Sequence, residues 1–431
     1  ILTDLKKKER IFVHFFLAKT RMWRQIRKFG LEFCDLPTMV WNVSVFLKVL
    51  TLNVYSKNKT IPFIFYIIVI AAFLCYFYVY LFCMVWFVFV RSRETGDMVA
   101  AMVVLSLGIS SEIGTLKLLY MFLYIDKIRG LTDAFLDFDS RMILGSRQAS
   151  NVLRYMRDVK KRAIFYWMVI MGNATVYVFS PFARPGRHLT EDLLVIYGLE
   201  PMFESPNYEI ALVVMASSVY IICYISANVT SYLIVIIGYA ESQMLALSDE
   251  VTHIWTDAEE YYKSVAGFGN NILTNYDSKN RIMNDHVCKN LKDIIKRHGT
   301  IKILLNQVED VWRGPIAIGF TLLVLGLISE LLGGLENTIL QVPFAFMQVG
   351  IDCFIGQRVM DAGIVFEQAV YDCKWENFDK NNMKMVLVML QASQKTTGIS
   401  AGGVTQMSFK CLMAAMRATY SAYTALRSFM K

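Results

Sequence analysis

Four ionisable residues, Glu112, Lys117, Glu330 and Asp352, interrupt otherwise apolar stretches of this sequence. A charge in hydrocarbon is costly, so each is expected to face protein or water, where buried pairing, proton relay or ion attraction becomes available. Glu112 and Lys117 suit a shared polar network, although their five-residue offset is imperfect on a helix. Glu330 carries the charge to attract cations in a vestibule, but a structural role is the first expectation for all four. The other reactive types are dispersed. Cysteines at 34, 75, 83, 223, 288, 353, 373 and 411 form no CxxC pair and no ligand spacing, so they read as packed thiols. Histidines 14, 188, 253, 286 and 298 are equally scattered. There is no glycine-rich phosphate loop, catalytic triad, metal motif or nucleic-acid signature, so an enzyme is disfavoured and no cofactor is expected.

Composition then identifies the solvent. The chain is 55% hydrophobic, 13% aromatic and only 19% charged, with mean hydropathy +0.41. A soluble protein of 431 residues normally carries more charge to cover its surface. Residues 61–90, IPFIFYIIVIAAFLCYFYVYLFCMVWFVFV, contain no charge. At about 1.5 Å per residue they outrun a hydrocarbon core of about 30 Å, so that helix must tilt or project. The fold class is an all-α membrane protein.

Hydropathy predicts seven spans, at 61–90, 97–124, 161–182, 208–240, 315–337, 340–371 and 403–430. Residues 39–50, MVWNVSVFLKVL, alternate helix-wise and are expected along or just beneath the membrane surface. The opening ILTDLKKKERIFVHFF has too short an apolar core for a signal peptide and no small-residue cleavage site. Twelve Lys and Arg lie within 1–60, seven in the second connection (125–160) and nine in the fourth (241–314). The third (183–207) has two arginines against four acids. This alternation predicts a cytoplasmic N-terminus and an extracellular C-terminus, the reverse of a G-protein-coupled receptor. Arg427 and Lys431 would then anchor the last helix at the outer interface. The domain plan is a cytoplasmic region with a surface helix (1–60), spans one to four (61–240), a cytoplasmic helical anchor (241–314), spans five and six (315–371), a cytoplasmic helical segment (372–402) and the seventh span (403–431). The anchor's two amphipathic stretches flank GNNILTNYDSKN, and their apolar stripes predict burial between subunits. Sequons at Asn42, Asn58, Asn173 and Asn228 are expected to stay unglycosylated.

The last eighty residues carry a more specific pattern. Cys353-Phe354-x-Gly356, Tyr371 followed by Trp375, then QASQKTTGISAGG, SFKCLM and the closing TYSAYTALRS resemble, in order and spacing, the C-terminal signature of insect odorant receptors. The N-terminal two-thirds matches that family only in architecture. Related gustatory receptors close on Thr-Tyr, five apolar residues and Gln-Phe. Here Thr419-Tyr420 is followed by Arg427 in a shifted frame, which favours an odorant-tuning subunit. The shared co-receptor is disfavoured because its final segment is more continuously aliphatic.

The resemblance implies a ligand-gated nonselective cation channel, a tetramer whose central pore is lined by the seventh span. Partners would be a small volatile odorant, an odorant receptor co-receptor, membrane lipid and permeating cations, with no nucleic acid, at the plasma membrane of a sensory neuron dendrite. It places the odorant pocket in the outer half of spans two, three, four and six. In this sequence that selects Met102, Leu105, Ser106 and Ile109 (with Met98), Ile170, Asn173 and Tyr177 (with Ser180), Met215 and Val219 (with Ala211 and Ser218), then Leu340, Phe344 and Met347. Such a methionine-rich lining with a few hydroxyl and amide groups suits a volatile with one weak polar function. Met416, Thr419, Tyr423, Leu426 and Met430 share a helical stripe, and the resemblance places the hydrophobic gate at Leu426 and Met430, which can close a pore by dewetting. Small residues in MAAM (413–416) and at Ser421-Ala422 permit close helix packing. Alternatives are a gustatory receptor, a homotetrameric odorant receptor, a transporter or a G-protein-coupled receptor; no repeat symmetry favours the transporter.

Overall fold

A computed structural model of the chain describes residues 23, 25–55, 61–268, 276–395 and 398–429. Asp35 starts the first helix, α1 (Leu36–Val49), by accepting from Thr38 N at 3.0 Å, with Pro37 just inside the helix. Leu36, Met39, Val40, Val43 and Leu47 give α1 one apolar face, and it is buried against the bundle rather than lying free on a surface. Then follow α2 (Phe63–Thr95), α3 (Met98–Leu123), α4 (Ile125–Ser140) and α5 (Arg147–Phe179). Two π-helical stretches, Phe77–Cys83 and Phe87–Arg91, interrupt α2. The widened turns rotate its inward face, so Tyr76, Val79, Tyr80 and Cys83 are buried together.

Helices α6 (Asn207–Phe268) and α7 (Tyr276–Gly333) run for 62 and 58 residues. At 1.5 Å per residue they are about 93 and about 87 Å long, far beyond any bilayer. Helix α6 is the axis of the molecule, packing against α1, α2, α3, α5, α7 and α9. Its extension pairs with that of α7, with Tyr261 stacked on His286 at 4.3 Å. Val251, Ile254 and Ala258 on one, and Met283, Val287 and Leu291 on the other, are buried. The apolar stripes expected between subunits are therefore covered within the chain itself.

A short α8 (Leu335–Thr338) leads to α9 (Gln341–Tyr371), α10 (Lys380–Ser393) and α11 (Phe409–Phe429). Between the last two, β1 (Ser400–Ala401) pairs antiparallel with β2 (Thr405–Gln406), Ser400 opposite Gln406. Gly402 and Gly403 turn this hairpin at φ +65° and +78°, conformations that glycine adopts without Cβ strain. Gly402 N donates to Arg313 O at 2.9 Å, tying the hairpin to α7. The last helix thus begins at Phe409 instead of 403, and only 380–393 of the segment before it is α-helical. Expected span 161–182 is the far part of the longer α5.

Five of the described helices, α2, α3, α5 with the short turn to Ala183, α6 and α7, are long and apolar enough to cross a membrane. The expected sixth and seventh spans, α9 and α11, are helices of 31 and 21 residues. Gln348, Asp352, Gln357 and Arg358 on α9, and Lys410, Arg417 and Arg427 on α11, hold them below that mark.

Candidate functional site

Four helices bring short runs of side chains to one point by helical spacing, and a fifth adds Tyr80. Helix α3 supplies Leu107, Ser110 and Ser111; α5 supplies Asn173 and Tyr177; α6 supplies Val219, Ile222 and Cys223. Leu340, just ahead of α9, stands beside Gln341 and Phe344 of that helix, and Tyr80 arrives from the π-turn of α2. The space among them open to a water-sized sphere is about 30 Å³. That is room for a water or two and not for an organic molecule, so a ligand must push side chains apart.

The polar groups of this wall are mostly engaged. Ser111 Oγ donates to Gly108 O at 2.7 Å, and Asn173 Nδ2 to Leu340 O at 3.1 Å. The connection between α5 and α6 folds over the cavity, anchored by buried Leu189, Leu194, Ile196 and Met202. It delivers Glu191, whose Oε2 accepts from Tyr177 Oη at 2.7 Å and Gln341 Nε2 at 3.2 Å. Beyond this latch lies a polar hollow of about 320 Å³ lined by Arg184, Asp192, Glu336 and Asn337, with Tyr177 and Leu340 forming the shared wall. Burial pushes the Glu191 carboxyl above its ordinary range, and the hydrogen bond from Tyr177 offsets this only in part.

Of the expected pocket residues, Asn173, Tyr177, Val219, Leu340 and Phe344 come together here. Ser106 is fully buried and donates to Gln341 Oε1 at 2.8 Å, one step removed from the cavity. Ile170 and Met215 are core residues at 0% and 1% exposure. Met102, Leu105, Ile109 and Met347 are half-buried and do not line the cavity. Ile109 turns towards Gly326 of α7. Helix α3 faces the cavity with the adjacent stripe, the small residues Ser110 and Ser111. Neither they nor Tyr80, Cys223, Gln341 and Glu191 were expected. The serine pair was visible as a small polar break in an apolar run, whereas Glu191 gave no signal beyond the acid excess of its connection.

The intramembrane charges also pair differently. Lys117 Nζ meets Asp352 Oδ2 at 2.6 Å, with both side chains at most 3% exposed, while Glu112 accepts from the Tyr76 hydroxyl. Lys117 and Glu112 do not share a network because their five-residue offset sends them to different neighbours. Glu330 is 0% exposed and accepts from Ser110 Oγ at 3.4 Å, so it is buried in the subunit and faces no vestibule. Gln348 of α9 donates to Ser110 O at 3.0 Å and accepts from Ser226 Oγ at 3.1 Å. Phe344, Gln348, Asp352 and Gly356 lie four residues apart, so one face of α9 runs from the cavity to the charged pair. It ends where a Cβ on Gly356 would stand 2.4 Å from Met407 O, just before α11. Below this, Glu241 accepts from Arg162 at 2.8 Å and Arg358 at 2.7 Å, clamping α5, α6 and α9.

Helix α11 packs on α7 and α9 through Leu412, Ala415 and Thr419. Thr419, expected on the pore stripe, is 2% exposed and turned into its own subunit, with Oγ1 unpartnered. Tyr423 is half-buried and accepts from Arg427 Nη1 at 2.8 Å. Leu426 is 44% exposed, and Met416 36%. Met430 lies outside the described residues. Asn42 and Asn228 are 7% and 1% exposed, so neither sequon presents its amide to a glycosyl donor; Asn58 also lies outside the described residues.

A family model described as 7tm Odorant receptor matches residues 97–420. A stretch of 146 residues is 25% identical to Odorant receptor 85b of Drosophila melanogaster, covering 32% of this chain and 37% of that receptor. The fold is similar to the solved structure of the insect olfactory receptor OR5 from Machilis hrabei, with TM-score 0.70 at 11% identity, covering 91% of this chain and 98% of the other. OR5 solved in complex with eugenol matches equally well. The family match spans well over half of the chain, and the protein belongs to the odorant receptor family. That family is one of odorant receptors, and the five long apolar helices of this chain accord with membership of a membrane-spanning family.

Proposed function

We propose that the chain is the odorant-binding subunit of an odorant-gated, nonselective cation channel of the sensory-neuron plasma membrane, acting with a co-receptor in a tetramer. In this reading α9 and α11 complete seven spans, the N-terminus is cytoplasmic, and the paired extensions of α6 and α7 form a cytoplasmic anchor. The cavity between Ser110, Tyr177, Val219 and Phe344 takes a small volatile molecule, and α11 lines the pore with Leu426 and Met430 at its gate. The observation that carries the reading is the small, mainly apolar cavity under the Glu191 latch, reached by the same α9 face that ends against the residue leading into α11. OR5 complexed with eugenol supports a small-molecule site in this fold. Odorant binding opens the pore to the extent that it favours the open arrangement over the closed one.

The test is whole-cell current under a volatile panel, with G-protein signalling blocked, in cells expressing this chain alone or with an odorant co-receptor. Fast cation currents that need both chains are expected. Currents from this chain alone would make it a homomer, and silence with verified surface expression across the panel would overturn the channel assignment. Val219→Leu, one methylene larger, should shift odorant preference while leaving conduction intact; loss of current to every odorant with surface expression retained would mean that cavity and pore are not separate.

A further inference from the structure

On the basic side of the same helices, away from the odorant cavity, a groove of about 370 Å³ opens between α1, α5 and α6. Its walls are apolar and largely aromatic: the rings of Phe29 and Phe46 lie 5.5 Å apart, and those of Phe46 and Trp167 5.8 Å apart. Ala163 forms part of the wall, and at the rim Met168 is 54% exposed on a face of α5 that also exposes Phe165. That face is apolar and belongs to a helix suited to crossing the bilayer, so the groove opens towards lipid.

Four polar residues line the groove, and two are satisfied. Asn228 accepts from Trp167 Nε1 at 3.3 Å and donates to Tyr224 O at 2.7 Å, and Ser231 Oγ donates to Ala227 O at 2.6 Å. That leaves Asn42 and Lys160 to define what the groove can recognise. Asn42 donates through Nδ2 to Lys28 O at 2.9 Å, which fixes the orientation of its amide. Among the described residues its Oδ1 is buried with no partner, in a residue 7% exposed, an arrangement that costs free energy unless a donor arrives. Lys160 lies beside it, but its ammonium group donates to the carbonyls of Lys28, Gly30 and Phe33 at 2.9, 2.7 and 2.5 Å. All three of its hydrogens are thereby committed. Among the described residues of the lining an anionic headgroup would find no free donor, whereas a hydroxyl that moves in beside Asn42 would meet an acceptor without a partner.

We propose that this groove binds a neutral, singly hydroxylated membrane lipid of the sterol class. The hydroxyl donates to Asn42 Oδ1 near the basic interface, and the rigid body lies against Phe46, Ala163 and Trp167. Lys160 and Trp167 are separated by about 10 Å along α5, a length suited to a fused-ring body with its polar end at the interface. The site is independent of the odorant reading and would stand or fall without it.

The experiment is photo-crosslinking of the full chain in phosphatidylcholine nanodiscs with a diazirine analogue of cholesterol, mapped by mass spectrometry. Labelling should concentrate on residues 39–46 and 163–168 and be displaced by cholesterol. Cholesteryl methyl ether, which cannot donate, should compete about fivefold more weakly. Ala163→Phe, which fills the groove, should abolish labelling there while the thermal melt is retained. Should that variant fail to fold, the methyl-ether competition on the unaltered chain decides the matter. Labelling spread evenly over all lipid-facing helices, equal competition by the methyl ether, or displacement by phosphatidylserine in preference to cholesterol would overturn the proposal.

Discussion

Between Ile225 and Met244, α6 buries side chains on every face, among them Tyr232, Tyr239 and the run Leu233–Ile237. Helix α11 buries a single stripe through Leu412, Ala415 and Thr419 and leaves Met413, Tyr420 and Leu426 exposed. Both bear on function, the first as a cavity wall and the second as the proposed pore lining, yet only α6 has its partners within one subunit. The contrast teaches that changes around α6 should read out as folding, and changes on the open face of α11 as conduction. A helix with few partners in its own chain is free to take a second arrangement, and a helix packed all round is not.

The largest test of that contrast is the charged pair beneath the cavity. Lys117→Met leaves Asp352 buried and unpaired, a loss of about 3–5 kcal/mol that should abolish surface expression. Lys117→Met combined with Asp352→Leu should recover most of it in a detergent melt. If the double variant stays unfolded, the pair does more than hold α3 to α9. Next, Gly356→Ala forces a Cβ to within 2.4 Å of a backbone oxygen and should cost about 1–3 kcal/mol. Because that oxygen belongs to Met407, the residual protein should also show altered gating, which would sharpen the boundary between fold and pore. Leu426→Ser should change stability by at most about 0.5 kcal/mol and raise basal current. A large drop in melting temperature there would show that α11 is held within the subunit after all.

The smallest effect concerns the latch. The Glu191 carboxyl is raised by burial, so its folded form binds a proton more tightly than the unfolded chain does. The stability linked to it is fully present below the ordinary glutamate range and is lost as pH rises through the elevated value. Protection of the amides of residues 189–202, taken relative to the intrinsic base-catalysed exchange rate at each pH, should accordingly fall with rising pH, and Glu191→Gln should remove that fall. Persistence of the slope in Glu191→Gln would show that Glu191 is not its source.

Much of the architecture was legible in the residues. The uncharged run 61–90 and the apolar stripes of 241–314 announced the long helix α2 and the amphipathic extensions of α6 and α7 through composition alone, while most of GNNILTNYDSKN lies outside the described residues. Half of the cavity was less accessible, for reasons that can be named. Tyr80 was missed because a π-turn in α2 departs from the 3.6-residue period. On α3, Leu105 and Ile109 were favoured over Leu107 and Ser111 because a nearly uniform apolar helix does not announce which face meets its neighbours. Lys117 and Asp352 are 235 positions apart, and no local pattern reports a contact at that separation. Thr419 misled because a stripe facing the subunit and one facing a pore have the same spacing.

The cavity under the Glu191 latch leaves space for little more than a water molecule, and if odorants bind there as proposed, that scarcity has a consequence for how such receptors diversify. A site that is already roomy changes its preferences by exchanging polar contacts, whereas one that is almost filled changes them by the carbon. Trimming Ile222 to valine or Phe344 to leucine would open volume on the scale of the cavity itself, and each methylene so exchanged shifts the fit by about 0.8 kcal/mol. Single conservative substitutions on these walls are therefore large steps in chemical space, and the range of molecules a lineage can smell becomes a matter of subtraction.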